Sequence, residues 1–183
     1  MNKLNNNDFP TLSNIVEWGN VQAKFDLVQD INKVDELIVS NVNIIPYTGN
    51  KYVVFQVDNG EWELPGGTLE KDEKYFEALE REMMEELGAQ LMSFNIFGQF
   101  HCVSKADKPY KPHIHHPNFV RLVGYGEVRI VGKPLNPIDG EQVISVEVVE
   151  IDEAIKRFEQ IKRFDIAELY KLAHMKRSKE NHL

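Results

Sequence analysis

Residues 62–89 constrain this chain more than any other stretch: Trp-Glu-Leu-Pro-Gly-Gly-Thr-Leu-Glu-Lys-Asp-Glu-Lys-Tyr-Phe-Glu-Ala-Leu-Glu-Arg-Glu-Met-Met-Glu-Glu-Leu-Gly-Ala. An apolar approach ends in Pro65-Gly66-Gly67, where glycine permits a backbone turn that other residues resist. A helix is expected next, with Asp72 as its N-cap, running to about Leu87 and ended by Gly88. At about 100° per residue, Phe76, Leu79, Met83 and Leu87 form one apolar stripe. Glu82, Glu85 and Glu86, with Ala78 beside them, fall on an adjacent face. Such a helix docks on a core with one side and lines up carboxylates along its edge. Oxygen-rich clusters of this kind hold hard divalent cations.

The rest of the chain reads as a scaffold for that edge. Residues 37–47 form an apolar strand expected to end at Pro46, and Lys51–Asp58 form the next. Asn59-Gly60 signals a hairpin, with a short return strand over Glu61–Leu64. Strands are then expected over Leu91–Val103, with Phe94, Ile96, Phe100 and Cys102 in one phase, over Phe119–Ile130, weakened by Gly124 and Gly126, and over Gln142–Ile151. Asp152 is expected to cap a short helix, and a last helix starts near Asp165 with a fraying tail from Lys176. Hairpins alternating with helices imply a mixed sheet covered by helices, an α/β (α+β) architecture. Residues 1–36 form an N-terminal extension with enough apolar residues to pack on the core or on a partner, so a homodimer is one reading.

Composition narrows the partners. With 29 acidic and 21 basic residues the net charge is −8, which disfavours nucleic acid as a partner. Handling anionic phosphates on an acidic protein calls for bridging cations. Cys102 is the one cysteine, so no intramolecular disulfide forms, in keeping with a reducing cytoplasm. It reads as a small core hydrophobe. No apolar run reaches the ~20 residues that span a membrane.

Read as a pattern, the stretch is Gly67, five residues, Glu73, seven residues, then Arg81-Glu82-Met83-Met84-Glu85-Glu86-Leu87-Gly88-Ala89. It resembles the Nudix box of the Nudix hydrolases, matching at Gly67, Glu73, Arg81, Glu82, Glu85, Glu86 and Gly88. At about one in twenty per residue type, a chance match at one start point is about one in 10⁹. Met83 and Ala89 stand where the pattern prefers bulky aliphatics, and Asp72 replaces a common glycine. The resemblance implies a Nudix domain over 37–183, with a mixed sheet in an α/β/α sandwich. It also implies Mg²⁺- or Mn²⁺-dependent hydrolysis of a nucleoside diphosphate linked to another group. Carried over by position, Glu82 and Glu86 are metal ligands with the Gly66 carbonyl, and Glu85 joins when more than one metal binds. Glu73 and Arg81 are structural, with Arg81 pairing to a glutamate, while Glu77 and Glu80 are ordinary surface.

A general base in this family often lies outside the box. Glu141 occupies the right region, with Glu147 and Glu127 behind it. The His113-Ile114-His115-His116 run lacks the spaced ligands of a zinc site and reads as a loop over the pocket mouth or an exposed turn. Tyr110 and His115 are the candidate substrate contacts there. Trp62 is expected to pack in the core or line the pocket. The substrate is a nucleoside triphosphate or an NDP-sugar or ADP-ribose type compound. The alternative is a non-catalytic nucleotide sensor on the same fold, against which the intact box argues. An RNA 5′-end hydrolase is disfavoured by the acidic balance.

Overall fold

The computed structural model describes residues 4–180. Its strands form one mixed sheet in the order β1-β2-β8-β9-β3-β4-β10. In chain order these are β1 (Ile15–Trp18), β2 (Val21–Leu27), β3 (Val39–Thr48), β4 (Lys51–Val57), β5 (Trp62–Glu63), β6 (Gly66–Thr68), β7 (Ala89–Leu91), β8 (Asn95–Ser104), β9 (Asn118–Ile130) and β10 (Val143–Val149). The short β5, β6 and β7 pair with β4, β3 and β9. The central β3–β9 pair is parallel, whereas its neighbours are antiparallel.

Strand alternation sends side chains to two cores. Val42, Ile44, Val53 and Phe55 face helix α1 (Tyr75–Glu82) and its continuation. Ile45, Tyr52 and Val54 face α2 (Ile151–Gln160) and α3 (Phe164–Glu180). The result is the α/β/α arrangement. No helix among the described residues is long and apolar enough to cross a membrane.

The N-terminal hairpin β1–β2 extends the sheet by pairing with β8, from Val21↔Ser104 to Leu27↔Gly98. Ahead of it, Phe9 and Leu12 are buried in the core shared with α2 and α3. Trp18 Nε1 donates to Asp165 Oδ2 at 3.0 Å, tying the hairpin to the start of α3.

Several local expectations are corrected. Leu37 is 91% exposed on a 3₁₀ turn (Glu36–Ile38), so the strand begins later, and it runs through Pro46 to Thr48. The Ile44 N–H points to Pro65 O, so position 46 two residues on faces the same side. β6 has ended and β4 has not begun there, so the missing proline N–H interrupts no ladder. Helix α1 begins at Tyr75, not at Asp72, whose φ of 65° puts it in a left-handed turn. Glu77 is not plain surface, because its carboxylate accepts the Lys74 N–H at 3.0 Å and caps the helix. Phe76 is 46% exposed, and Ala78, fully buried, takes its place on the packed face.

The expected strand 91–103 is two strands. A register shift between Ile96 and Gly98 splits its phase. Phe94 and Ile96 pack toward the α1 side, and Phe97, Phe100 and Cys102 toward α2 and α3. β9 is unbroken. At Gly124 a Cβ would fall 2.4 Å from the Phe94 ring, so the glycine admits a crossing segment and does not weaken the strand. Glu150, not Asp152, holds the N-cap of α2. α3 continues past Lys176 to Glu180, and the rest of the expected tail, 181–183, lies outside the described residues.

Candidate active site

The site is built where β6 pairs antiparallel with Asn41–Asn43 of β3. Gly66 has φ 119°, and a Cβ there would fall 2.1 Å from Val42 O, so only glycine fits this close approach. A Cβ on Gly67 would fall 2.1 Å from Glu82 Oε1. The bare glycine is therefore what lets the Glu82 carboxyl lie against β6. The Gly66 N–H donates to Glu86 Oε2 at 2.8 Å, fixing the second carboxyl on the same turn. After Glu82, α1 widens into a π turn over Met83–Leu87 that carries Glu86, with the Gly88 N–H reaching back to Met83 O. Such insertions recur at functional sites. Gly88, at φ 61°, ends the helix.

Arg81 organises the carboxylates. Its Nε and Nη2 donate to the two oxygens of Glu73 at 2.9 and 3.0 Å, a bidentate pair. Nη1 donates to Glu82 Oε1 at 2.8 Å and to Glu85 Oε2 at 3.2 Å, and Nη2 also reaches the Thr68 carbonyl. Glu73 in turn accepts the Glu70 N–H at 2.7 Å, which closes the loop before the helix. Burial pushes the Glu73 carboxyl up, but the Arg81 and Glu70 hydrogen bonds outweigh it and hold the group below the ordinary range.

The deeper carboxyls behave oppositely. Desolvation raises Glu82, against the pull of Arg81 and with the help of Glu85 and Glu73. Desolvation raises Glu86 well above the usual carboxylate range; the Gly66 N–H opposes this, and Glu82, Glu141 and Glu63 add to it. Glu63 on β5, overlooked in the sequence, is raised by desolvation and then by Glu141. Its signal was slight: one acid between Trp62 and Leu64 reads as the outer face of a short strand. Glu141 itself is exposed, in the loop before β10, and within electrostatic reach of Glu86.

Crowded, desolvated carboxyls of this kind favour either protons or a bound cation. Among the described residues no three His, Cys, Asp or Glu side chains form a ready-made metal cage. Glu82 and Glu85 are turned onto Arg81, and Glu86 onto Gly66. The donor set still suits Mg²⁺ or Mn²⁺: oxygen ligands alone, carried on one turn of the helix beside the Gly66 backbone.

On the other side of Thr68 lies a cavity of about 320 Å³. The loop 105–117 covers it and is latched to the box. Tyr110 Oη and Thr68 Oγ1 are 2.6 Å apart, Lys111 pairs with Glu70 at 3.3 Å, and His113 Nε2 bonds the Leu69 carbonyl at 2.8 Å. Tyr110 and His115 both line the cavity, as do His116 and Arg121. Trp62 is only partly buried, and the Arg157 guanidinium stands 4.2 Å over its ring. Arg157 is held in turn by Glu147 and Glu153, so Glu147 is committed to an ion pair. A larger hollow of about 660 Å³, bordered by Leu12, Phe25 and Lys33, includes none of the box residues.

The chain matches the NUDIX domain family over residues 38–171. No curated protein matches it. Among solved structures, a point variant of the Bacillus subtilis pyrophosphohydrolase BsRppH is similar at 20% identity and TM-score 0.58, over 86% of this chain and 92% of that one. A NUDIX hydrolase from Nitrosomonas europaea is 19% identical, with TM-score 0.48 over 65% and 77% of the two chains. A MutT protein from Methanosarcina mazei Go1 is 19% identical, with TM-score 0.46 over 73% and 96%.

Proposed function

The chain belongs to the Nudix family, and from that premise we propose that it is a pyrophosphohydrolase using Mg²⁺ or Mn²⁺ to cleave a phosphoanhydride bond in a nucleoside diphosphate linked to another group. The observation that carries this reading is the pair of desolvated carboxyls at Glu82 and Glu86, one fitted into the space left by Gly67 and the other held by the Gly66 N–H. When bound, a divalent cation supplies charge to the pyrophosphate oxygens and acidifies the attacking water.

In this reading Glu82, Glu86 and the Gly66 carbonyl hold the cation, and Glu85 joins them for a further one. To do so Glu82 and Glu85 leave the Arg81 guanidinium, which keeps its bidentate hold on Glu73. Arg81 and Glu73 thus act as positioning residues, fixing α1 against the loop that carries Gly67. Glu141 is the candidate base, supported by its electrostatic reach to Glu86 and by the ion pair that occupies Glu147. Substrate enters under the loop bearing Tyr110 and His115. Positioning and fixed charge carry most of the acceleration in such a site.

The test is a phosphate-release screen across nucleotides, NDP-sugars and dinucleoside polyphosphates, each with Mg²⁺ and with EDTA. The expected result is Mg²⁺-dependent hydrolysis of at least one class. Metal-dependent turnover of none of them would favour a nucleotide sensor on this fold.

A further inference from the structure

The cavity beside the box carries a charge that the carboxylate site does not use. Arg121 on β9 stands opposite Asn41 on β3 in the central parallel pair. Its guanidinium carbon lies 5.0 Å from the centre of the Trp18 ring and 5.8 Å from that of Phe119. The two rings hold the fork in place and offset part of the cost of burying a cation. Its Nε is buried with no hydrogen-bond acceptor among the described residues. Arg81, Arg157 and Arg163 each pair with a carboxylate, but among the described residues Arg121 makes no ion pair.

The surroundings have the same bias. In a chain with 29 acidic residues, no Asp or Glu lines this cavity. Lys108 adds a second cation and Ser104 a hydroxyl, while the Thr68 and Tyr110 hydroxyls bond each other and Asn41 along the wall. A fixed guanidinium with an unpaired donor, on a cavity wall without carboxylates, matches a phosphate group. β6 is the shared wall: Gly67 touches Glu82 on the carboxylate side, and Thr68, the next residue, lines the cavity. Asn41, Thr68 and Arg121 thus share the sheet face opposite the box helix, with Thr68 one strand residue from Gly67.

We propose that this cavity holds a substrate phosphate other than the one attacked, with Arg121 as its anchor. The preferred substrates are then nucleotides with a phosphate beyond the scissile anhydride, such as nucleoside triphosphates, over NDP-sugars whose far end is uncharged. This rests on the hydrolase reading above and deepens it.

The first arm of the test needs no metal. Inorganic pyrophosphate is titrated into the full chain in EDTA, following Trp18 fluorescence in a Trp62→Phe background, since Trp18 and Trp62 are the two tryptophans. Pyrophosphate is expected to perturb Trp18 and to bind at least ten-fold more weakly to Arg121→Gln, with Arg121→Lys between them. Adenosine is expected to leave Trp18 unchanged. Equal pyrophosphate binding by a folded Arg121→Gln protein, or adenosine binding as tightly as pyrophosphate, overturns the proposal. If Arg121→Gln does not fold, Arg121→Lys decides in the same way, with binding equal to wild type overturning it. The second arm is turnover: Arg121→Gln is expected to raise KM for a nucleoside triphosphate at least ten-fold while leaving kcat within about two-fold, and to leave KM for an NDP-sugar unchanged. Equal KM changes for both substrates also overturn it. Loss of metal-dependent turnover on every substrate would sink the hydrolase reading while the pyrophosphate titration still reports on the cavity.

Discussion

The carboxyl of Glu82 occupies the space where a side chain on residue 67 would begin, with Oε1 2.1 Å from the Cβ that Gly67 lacks. The glycine is thus as much a part of the site as the glutamate. Gly67→Ala must push Glu82 aside, although φ at this position is compatible with alanine. Misplacing one ligand by about an ångström costs roughly 10²-fold in rate. The expected outcome is a kcat about 10²-fold lower with a melting temperature within a few degrees of wild type. Steady-state kinetics and a thermal melt on the same preparation check both.

The bidentate Arg81–Glu73 pair predicts an acid-sensitive element. The folded-state pKa of Glu73 is depressed below the unfolded value of about 4.3. As pH falls, the unfolded chain takes up this proton first, so protonation favours unfolding. The stabilisation is fully present above about pH 5 and is lost as pH falls through the folded value. The difference in melting temperature between wild type and Glu73→Gln should be largest near pH 6 and shrink toward pH 3. A difference that holds constant or grows on acidification would contradict the role of the charged pair.

Arg81→Ala removes the guanidinium from Glu73, Glu82, Glu85 and the Thr68 carbonyl together. Leaving partly buried carboxylates without their donor costs about 1–3 kcal/mol. Urea denaturation of wild type and variant measures this directly, and a change below about 0.5 kcal/mol would count against Arg81 as the organiser of the loop and helix.

Glu141→Gln tests the proposed base. General-base catalysis contributes typically 10²–10⁴-fold. The variant should lose at least 10² in kcat with little change in KM, and unchanged turnover would remove Glu141 from the mechanism.

What could be read from the sequence was what local geometry dictates. Glu82, Glu85 and Glu86 fall within one helical turn, so their shared edge follows from spacing, while the parts played by Gly67, Glu73 and Arg81 come from the resemblance to the Nudix box. The helix start was misplaced because a tertiary demand won over capping preference: Asp72 adopts a left-handed turn so that Glu73 can reach Arg81. The phase of β8 changes at a bulge that alternation does not reveal. Arg121 was passed over for a related reason. One arginine in the run Phe119-Val120-Arg121-Leu122-Val123 reads as an ordinary strand position until β1 brings Trp18 beneath it, across a long sequence separation.

The central claim is that the Glu82–Glu86 turn binds the divalent cation. A Mn²⁺ titration followed by electron paramagnetic resonance, on wild type and Glu86→Gln, tests it most directly. The account predicts that wild type takes up Mn²⁺ and that Glu86→Gln, still folded by circular dichroism, binds it at least ten-fold more weakly. Equal Mn²⁺ affinity in the two proteins would contradict it.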